Sequence, residues 1–192
     1  MKNLALFASG NGTNVQRIAE YFADDAAICV KLIVCNNAKA YVLERAKNLG
    51  ITSCVITDKE AFCRSDEVLE ILRQNCIDFV VLAGFLWLIP NRLIEAYPDR
   101  IINLHPALLP KYGGKGMYGM HVHEAVIANG ETETGITIHY VNQRYDEGKI
   151  IFQAKCPLSP KDTAEDVAQK VHDLEYEHFP KVIAGAVLKG VL

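Results

Sequence analysis

The 192-residue sequence predicts an α/β fold: a Rossmann-like, mostly parallel sheet with helices on both faces, followed by a C-terminal antiparallel strand pair and a long helix. Short apolar runs alternate with segments of helical periodicity through the first half of the chain. Residues 79–82 read FVVL, which is typical of a strand buried on both faces. The length and the 50% hydrophobic content suit one buried core, so we expect a single domain over residues 1–192.

The first half of the chain predicts four strands that are separated by helices. Each strand is a short apolar run, and each helix repeats apolar residues at intervals of three and four. In the first helix these residues are Val15, Ile18, Ala19 and Phe22. The predicted strands are residues 4–8, 28–34, 52–56 and 79–83, and the predicted helices are residues 15–22, 40–49 and 60–74. Gly50 suits the position that follows the end of the second helix.

The second half of the chain predicts a different arrangement. In chain order it predicts a helix or two short turns at 86–96, a fifth strand at 101–104, a short helix at 121–129, and a hairpin of strands at 134–141 and 149–155. The last element is a long helix that begins with a capping box, in which Asp162 is the cap. Pro180 is expected to end or kink this helix, because proline lacks the backbone N–H.

The composition excludes several classes of protein. The net charge is −3 with mixed signs throughout, which argues against a surface for nucleic acid or for a membrane. No apolar run is long enough to span a bilayer, and the N-terminus lacks a targeting signal. The six cysteines form no C-x-x-C pair and lie mostly in apolar runs. We therefore expect free, buried thiols in a reducing, cytoplasmic compartment.

Three polar residues form a candidate catalytic site. Asn103 and His105 are two positions apart at the end of the fifth strand, so their side chains project from the same face. Asp146 lies in a turn-like segment that can fold back over them. An amide donor, a titratable ring and a carboxylate are the groups needed to stabilise an oxyanion and to move a proton. Each is also an ordinary turn residue, so the interpretation requires a fold that brings the three together.

A glycine-rich loop joins the first strand to the first helix. Residues 9–14 read SGNGTN, and the helix that follows offers free N–H groups to an anion. The loop lacks the third glycine of a dinucleotide-binding motif and the lysine of a nucleotide P-loop. A monophosphate is therefore the better candidate ligand. The alternative is a plain strand-to-helix turn, since Gly and Asn are common turn residues.

The remaining histidines predict no metal site. His121 and His123 are two residues apart on a helix and point to different sides, whereas helical ligands favour a spacing of four. We interpret them as a solvated helix start. His139, inside a predicted strand, is expected to be a satisfied core residue, and His172 and His178 are expected at the surface of the last helix.

Over nearly its whole length the chain resembles the formyltransferases that use 10-formyltetrahydrofolate. The resemblance is carried by residues 8–14 (ASGNGTN), 82–85 (LAGF), 103–112 (NLHPALLPKY) and 146–148 (DEG). The string at residues 103–112 is specific to the broad family. The string at residues 8–14 narrows the resemblance to family members that act on a phosphorylated substrate, glycinamide ribonucleotide, in purine synthesis. The resemblance thus implies a single formyltransferase domain with formyl folate as co-substrate.

The resemblance also implies a role for each matching residue. Asn103, His105 and Asp146 match the catalytic trio of the family. The matching substrate-binding residues are Gly12, Thr13 and Asn14 for the phosphate and Glu175 for the glycinamide and ribose. The matching folate-binding residues are Phe85, Leu86, Trp87, Leu88, Ile89 and Asn103.

The implied chemistry is direct transfer without a covalent intermediate. The substrate amine attacks the formyl carbon, and Asn103 donates to the developing oxyanion. His105 either hydrogen-bonds that oxygen or takes the amine proton, and Asp146 orients the ring and orders the water that carries the proton to the folate nitrogen. No metal is implied. The partners are small molecules, and we expect a monomer or a weak homodimer that binds neither nucleic acid nor membrane.

The chain departs from the family pattern at two places. Trp87 stands where the family often has arginine, which changes the shape of the folate pocket. Residues 113–118 (GGKGMY) replace a shorter Pro-Gly segment. We expect this change to alter the loop over the substrate but not the catalytic trio.

Three other functions are considered. A formyl-folate hydrolase would use water in place of the amine, but such enzymes carry an extra N-terminal domain, which we do not expect here because the first strand is predicted from residue 4. A tRNA-modifying formyltransferase would need a C-terminal nucleic-acid domain and a basic face. A binding module for sugar phosphate or folate would not need the trio.

Overall fold

The computed structural model describes residues 1–188, which form seven strands and seven helices. The strands are β1 (Lys2–Ala8), β2 (Ile28–Cys35), β3 (Thr52–Val55), β4 (Phe79–Leu82), β5 (Ile101–His105), β6 (Glu133–Tyr140) and β7 (Ile150–Pro157). The helices are α1 (Thr13–Tyr21), α2 (Val42–Asn48), α3 (Lys59–Arg64), α4 (Glu67–Gln74), α5 (Asn91–Ala96), α6 (Met120–Ala128) and α7 (Ala164–Leu188).

All seven strands join one sheet in the order β3-β2-β1-β4-β5-β6-β7. The pairs from β3 to β5 are parallel, and β6 and β7 are added antiparallel to that edge. The predicted fold class is therefore confirmed, including the C-terminal strand pair and the long helix.

The sheet is covered on both faces, which explains why its strands lack a polar side. In β1, Leu4 and Leu6 face the core beneath α1, α2 and α7, while Ala5 and Phe7 face the core beneath α3, α4 and α5. Side chains alternate between the two faces along a strand, so both sets must be apolar when both faces are buried.

The single helix predicted over residues 60–74 is wrong, because the structure has two helices there. Asp58 caps α3 by accepting from the backbone N–H groups of Glu60 and Ala61. Ser65 ends it with an extended backbone, and its hydroxyl donates to the Ala61 carbonyl. Serine competes with the helical hydrogen-bond ladder in this way, and α4 then restarts at Glu67.

The start and the course of α7 also differ from the prediction. Thr163, not Asp162, forms the capping box, since its Oγ1 accepts from the Asp166 N–H and the Asp166 carboxylate accepts from the Thr163 N–H. Asp162 instead accepts from Lys170 and from the Ser159 N–H. Pro180 does not end the helix, which continues to Leu188 with buried residues on both sides of the proline.

The order of the strands positions the functional loops. The strand order reverses between β1 and β4: β2 and β3 follow β1 on one side, and β5 follows β4 on the other. The loops that leave the carboxyl ends of β1 and β4 therefore run to opposite sides, and a crevice lies between them. The loops after these two strands are hydrogen-bonded together: the Ser9 N–H donates to the Gly84 carbonyl at 3.0 Å, and the Leu86 N–H donates to Ser9 Oγ at 2.9 Å.

Candidate active site

A cavity of about 540 Å³ lies at the carboxyl ends of β4 and β5. Three loops and one helix enclose it: residues 84–89 after β4, residues 114–119 before α6, residues 141–146 between β6 and β7, and α7. Of the predicted site residues, the lining includes Asn14, Phe85, Leu86, Trp87, Leu88, Ile89, Asn103, His105, Asp146 and Glu175. Gly12 and Thr13 do not line it.

The catalytic candidates of β5 owe their orientation to the antiparallel neighbour β6. Asn103 pairs with His139 across the strands, and His105 pairs with Thr137. His139 Nδ1 lies 2.9 Å from the Tyr140 carbonyl, which can only accept, so Nδ1 carries the proton of the neutral ring. His139 Nε2 is then an acceptor for the Asn103 amide nitrogen, 3.1 Å away. This bond fixes which way the Asn103 amide faces.

Asp146 completes the group from the connection between β6 and β7. Its carboxylate oxygen Oδ2 lies 3.5 Å from His105 Nδ1, and Oδ1 lies 3.4 Å from Asn103 Nδ2. The structure therefore brings the three candidates together from two parts of the chain. The Gly114 N–H also donates to Oδ2, at 2.9 Å, so the loop of residues 113–118 contacts the trio that it was not expected to alter.

The ring of His105 is held at its other nitrogen. Nε2 lies 2.7 Å from the Tyr112 carbonyl and must donate its proton there. The loop that supplies this carbonyl is itself fixed, because Thr137 Oγ1 donates to the Ala107 carbonyl and accepts from the Leu109 N–H. As a result, His105 Nδ1 is the nitrogen that faces Asp146.

Burial and the neighbouring polar groups shift the pKa values of His105 and Asp146 in opposite directions. Burial lowers the pKa of His105 below 6.5, although the Asp146 carboxylate and the Tyr112 carbonyl oppose it. Burial raises the pKa of Asp146, but the neighbouring His139 and His105 side chains and the Gly114 N–H outweigh burial and hold that pKa below 3.8. These directions favour an ionised Asp146 beside a neutral His105 near pH 7.

A second carboxylate lies at the other end of the cavity. Glu175 on α7 is 5% exposed, and its Oε2 accepts from Asn14 Nδ2 at 2.8 Å. Burial raises the pKa of Glu175, while the Asn14 hydrogen bond and the nearby His172 lower it in part. Two predicted substrate-binding residues thus contact each other, although they are far apart in sequence.

The glycine-rich turn before α1 has a conformation and a packing that only glycine allows. Gly12 has φ +77°, and a Cβ there would lie 2.4 Å from Val42 Cγ2. Arg45 of α2 fixes the neighbouring Asn11 by donating to its carbonyl at 2.8 Å and to Oδ1 at 2.6 Å. The start of α1 at Thr13 therefore has a defined backbone.

The apolar wall of the cavity is aromatic. Trp87 lies 5.4 Å from Phe62 and 6.1 Å from Phe85 between ring centroids. Phe85 and Ile89 are buried in the core, whereas Leu86 and Leu88 are exposed at the cavity mouth. Such a wall suits a flat, partly apolar ligand.

Three histidines that the sequence did not assign to the site line the cavity: His123, His139 and His172. His139 is the satisfied core residue we expected, yet it also orients Asn103. His123 is 4% exposed rather than solvated, and its Nδ1 has no hydrogen-bond partner. His172 is partly exposed and lies 4.0 Å from Glu175. Residue type gave no signal for His139, because its contact with Asn103 depends on the antiparallel register of β5 and β6.

Neither a metal site nor a membrane span is seen in residues 1–188. No group of three His, Cys, Asp or Glu side chains in that range is arranged to hold a metal ion. In the same range, no helix combines the length and the apolar character that crossing a bilayer requires.

Comparison with known proteins identifies the family. A formyl transferase family model matches residues 2–183. The phosphoribosylglycinamide formyltransferase of Haemophilus influenzae is 35% identical over 188 residues, which cover 95% of this chain and 86% of that protein. The chloroplastic phosphoribosylglycinamide formyltransferase of Arabidopsis thaliana is 40% identical over 97% of this chain, but this chain spans only 65% of that protein's length.

A solved structure agrees with this assignment. The crystal structure of glycinamide ribonucleotide transformylase 1 from Geobacillus kaustophilus has 35% sequence identity and a TM-score of 0.88 to this chain. The match covers 97% of this chain and 99% of that one, so the similarity extends over the whole fold. The chain therefore belongs to the formyl transferase family, and within it to the group of phosphoribosylglycinamide formyltransferases.

Proposed function

We propose that the protein transfers the formyl group of 10-formyltetrahydrofolate to the amine of glycinamide ribonucleotide, a step of purine synthesis that leads to IMP. The observation that carries this proposal is the convergence of Asn103, His105 and Asp146 on one cavity between an aromatic wall and a buried carboxylate. In this proposal residues 1–192 act as a single formyltransferase domain.

The folate is proposed to bind against the aromatic wall. The loop after β4 supplies Phe85, Leu86, Trp87, Leu88 and Ile89 on one side of the cavity. A pterin is flat, so an aromatic wall suits it. Its formyl group would then lie near Asn103, at the end of the neighbouring strand.

Glycinamide ribonucleotide is proposed to bind at the opposite end. Gly12 is the N-cap of α1 and Thr13 its first residue, at the end of the helix where free N–H groups and the helix dipole favour a phosphate. Asn14 lines the cavity one residue further along and donates to Glu175. The buried Glu175 carboxylate is an acceptor for the ribose hydroxyls or the ammonium group of the glycinamide. The amine is thereby directed toward the trio.

Asn103 is proposed to stabilise the oxyanion of the tetrahedral intermediate. One amide N–H is used by His139, and the second makes only a long contact of 3.4 Å with Asp146. This second N–H is available to a formyl oxygen that acquires negative charge. One such donor contributes about 2.7–4 kcal/mol in comparable acyl-transfer sites.

His105 is proposed to accept the proton of the attacking amine. Its lowered pKa keeps the ring neutral near pH 7, and the Tyr112 carbonyl fixes the proton on Nε2. Nδ1 is then the basic nitrogen. The imidazolium that forms is stabilised by Asp146, whose carboxylate is 3.5 Å away. The proton then passes to the folate nitrogen as the carbon–nitrogen bond breaks.

We further propose that the protein works in the cytoplasm as a monomer or weak homodimer without a metal. All six cysteines are free, which suits a reducing compartment, although the expectation that they are buried holds only for Cys35, and Cys63 and Cys76 are exposed. The proposed chemistry uses only side chains and two small substrates.

A product assay tests the proposed function against the hydrolase alternative. Purified protein is mixed with 10-formyltetrahydrofolate in the presence and absence of glycinamide ribonucleotide. We expect tetrahydrofolate and formylglycinamide ribonucleotide in a one-to-one ratio, and no turnover without the amine. Formate release that does not depend on the amine would instead establish a hydrolase, and binding without turnover of either kind would establish a binding module.

A further inference from the structure

The Asp146 carboxylate receives its shortest contact from a loop outside the trio. The Gly114 N–H donates to Oδ2 at 2.9 Å, whereas His105 Nδ1 lies 3.5 Å from the same oxygen. The other oxygen has contacts of 3.4 Å to Asn103 and 3.6 Å to His139. A 2.9 Å N–H···O bond to a carboxylate is a strong, charge-assisted bond, while the other distances are at or beyond the usual limit.

Asp146 needs such a contact because its own segment does not hold it. Its φ is +57°, in the left-handed region that costs free energy for residues with a side chain. Its neighbours at 143–145 and 147 are exposed to solvent. The carboxylate therefore depends on groups from other parts of the chain for its position.

The glycines of the loop allow its backbone to approach this closely. Residues 113–119 contain four glycines. A Cβ at Gly113 would lie 2.6 Å from Leu109 Cδ2 and 3.3 Å from Asp146 Cβ. Gly114 has φ +94°, a conformation that other residues rarely adopt. The segment thus places a backbone donor against Asp146 where a side chain would interfere.

We propose that the Gly114 amide is a positioning group for formyl transfer, which holds the Asp146 carboxylate opposite His105 Nδ1. This inference rests on the proposed function of the site. Without the amide donor, the carboxylate can rotate toward the solvent that surrounds its segment. His105 then loses the anion that stabilises its protonated form.

The effect should be measurable on His105 itself. Burial lowers the pKa of His105 and the Asp146 carboxylate opposes this, so displacement of Asp146 should lower the pKa further. The Asp146 carboxylate lies 3.5 Å from His105 of β5 and 3.6 Å from His139 of β6. The other charged or titratable groups that line the same cavity include Arg144 from its own segment, Lys115 from the loop of residues 113–119, and His172 with Glu175 from α7. Of these groups, only His105 lies opposite Oδ2.

Gly114→Ala and Gly116→Ala form a matched pair for the test. Gly116 has φ +93°, and neither glycine has any atom within 4 Å of the position that a Cβ would take. Alanine keeps the backbone N–H at both positions and acts through similar strain at positive φ, which moves the backbone. Only at position 114 does that movement displace an N–H that contacts Asp146. Circular dichroism and thermal unfolding show whether each variant is folded.

The first readout is an NMR titration of ring-labelled histidines without substrate, in which His105 is assigned with a His105→Gln variant. We expect the pKa of His105 to fall in Gly114→Ala and to stay at the wild-type value in Gly116→Ala. The second readout is kinetic: kcat should fall about tenfold more in Gly114→Ala than in Gly116→Ala, with similar KM values.

An equal response of the two variants, or an unchanged His105 titration in Gly114→Ala, would overturn the inference. The titration needs no turnover, so it tests the role of the Gly114 amide independently of the proposed function. Failure of that function would instead show as the absence of formyl transfer by the wild-type protein.

Discussion

The side chains of Asn103 and His105 each have one hydrogen-bond partner that fixes their orientation and one polar group that is available to a substrate. His139 takes one N–H of Asn103, and the Tyr112 carbonyl takes the Nε2 proton of His105. The groups that remain, an amide N–H and a ring nitrogen, face the cavity together with Asp146. Side chains that are held in this way lose little entropy when a substrate arrives, which favours the ordered transition state of a direct transfer.

At the residue scale, Asn14→Ala should weaken binding of the phosphorylated substrate and spare the folate. The variant removes a side chain from the substrate end of the cavity, and the buried Glu175 loses its 2.8 Å hydrogen bond. The affinity for glycinamide ribonucleotide should fall by about tenfold or more. Calorimetry with each ligand separately is the measurement, and an equal loss for both ligands would refute the assignment of Asn14.

The residue types and spacing selected Asn103, His105 and Asp146, and the family resemblance added Glu175 and residues 85–89, all of which line the cavity. Sequence reasoning could not select His139, whose contact with Asn103 depends on the pairing of β5 with β6. Nor could it show that Gly114 contacts Asp146, because the contact uses a backbone N–H, which the residue type does not reveal. Contacts made by the backbone or set by strand register require coordinates.

At the scale of elements, the loops after β1 and β4 act as one unit. Ser9 bonds to both Gly84 and Leu86, so the turn that begins α1 is tied to the start of the aromatic wall. A structural change in the turn before α1 should therefore also displace the loop after β4, on the other side of the crevice. Gly12 is the position where such a disturbance is easiest to make, because it packs directly against Val42.

Gly12→Ala should lower the free energy of unfolding by about 2–4 kcal/mol, because positive φ and the contact with Val42 both act against a Cβ. Gly10→Ala is the control, since nothing lies within 4 Å of its Cβ position. We expect a change of less than about 0.5 kcal/mol there. Chemical denaturation compares the two variants, and equal effects would contradict the packing described for Gly12.

The elements themselves were largely predictable from periodicity, and the failures have local causes. Residues 60–74 have helical spacing throughout, but Ser65 turns its hydroxyl to the Ala61 carbonyl and ends α3. Pro180 was expected to end or kink α7, yet the helix continues past it to Leu188, and Phe179 and Ile183 are buried on either side of the proline. In both places, hydrogen bonding or tertiary packing decides the outcome against the local sequence preference.

At the scale of the whole molecule, two buried histidines of the site make the free energy of unfolding depend on pH. His105 and His123 are both buried, and burial lowers the pKa of each, to about 4 for His123. The positive charges of His172 and His105 also oppose protonation of His123. Below pH 6.5 the unfolded chain takes up protons that the folded chain resists, so acid favours unfolding.

The free energy of unfolding should therefore fall as the pH is lowered from 7 to 4, and His123 alone should account for a loss on the order of 3 kcal/mol. Asp146, whose pKa lies below 3.8, adds stability that is present above that value and is lost at lower pH. His123→Gln should flatten the profile between pH 4 and 6.5, and the exposed His121→Gln should not. Denaturation at several pH values measures this, and parallel profiles for the two variants would disprove it.

The central claim is that His105, held between Tyr112 and Asp146, moves the proton in formyl transfer. The most direct measurement is the single-turnover rate of His105→Ala with 10-formyltetrahydrofolate and glycinamide ribonucleotide, alongside its folate affinity. The control is His178→Ala, because that ring packs on Phe152 and does not line the cavity. We expect a loss of about a hundredfold or more in rate with folate affinity retained, and a wild-type rate in the control. A His105→Ala variant that transfers formyl at the wild-type rate would contradict the account.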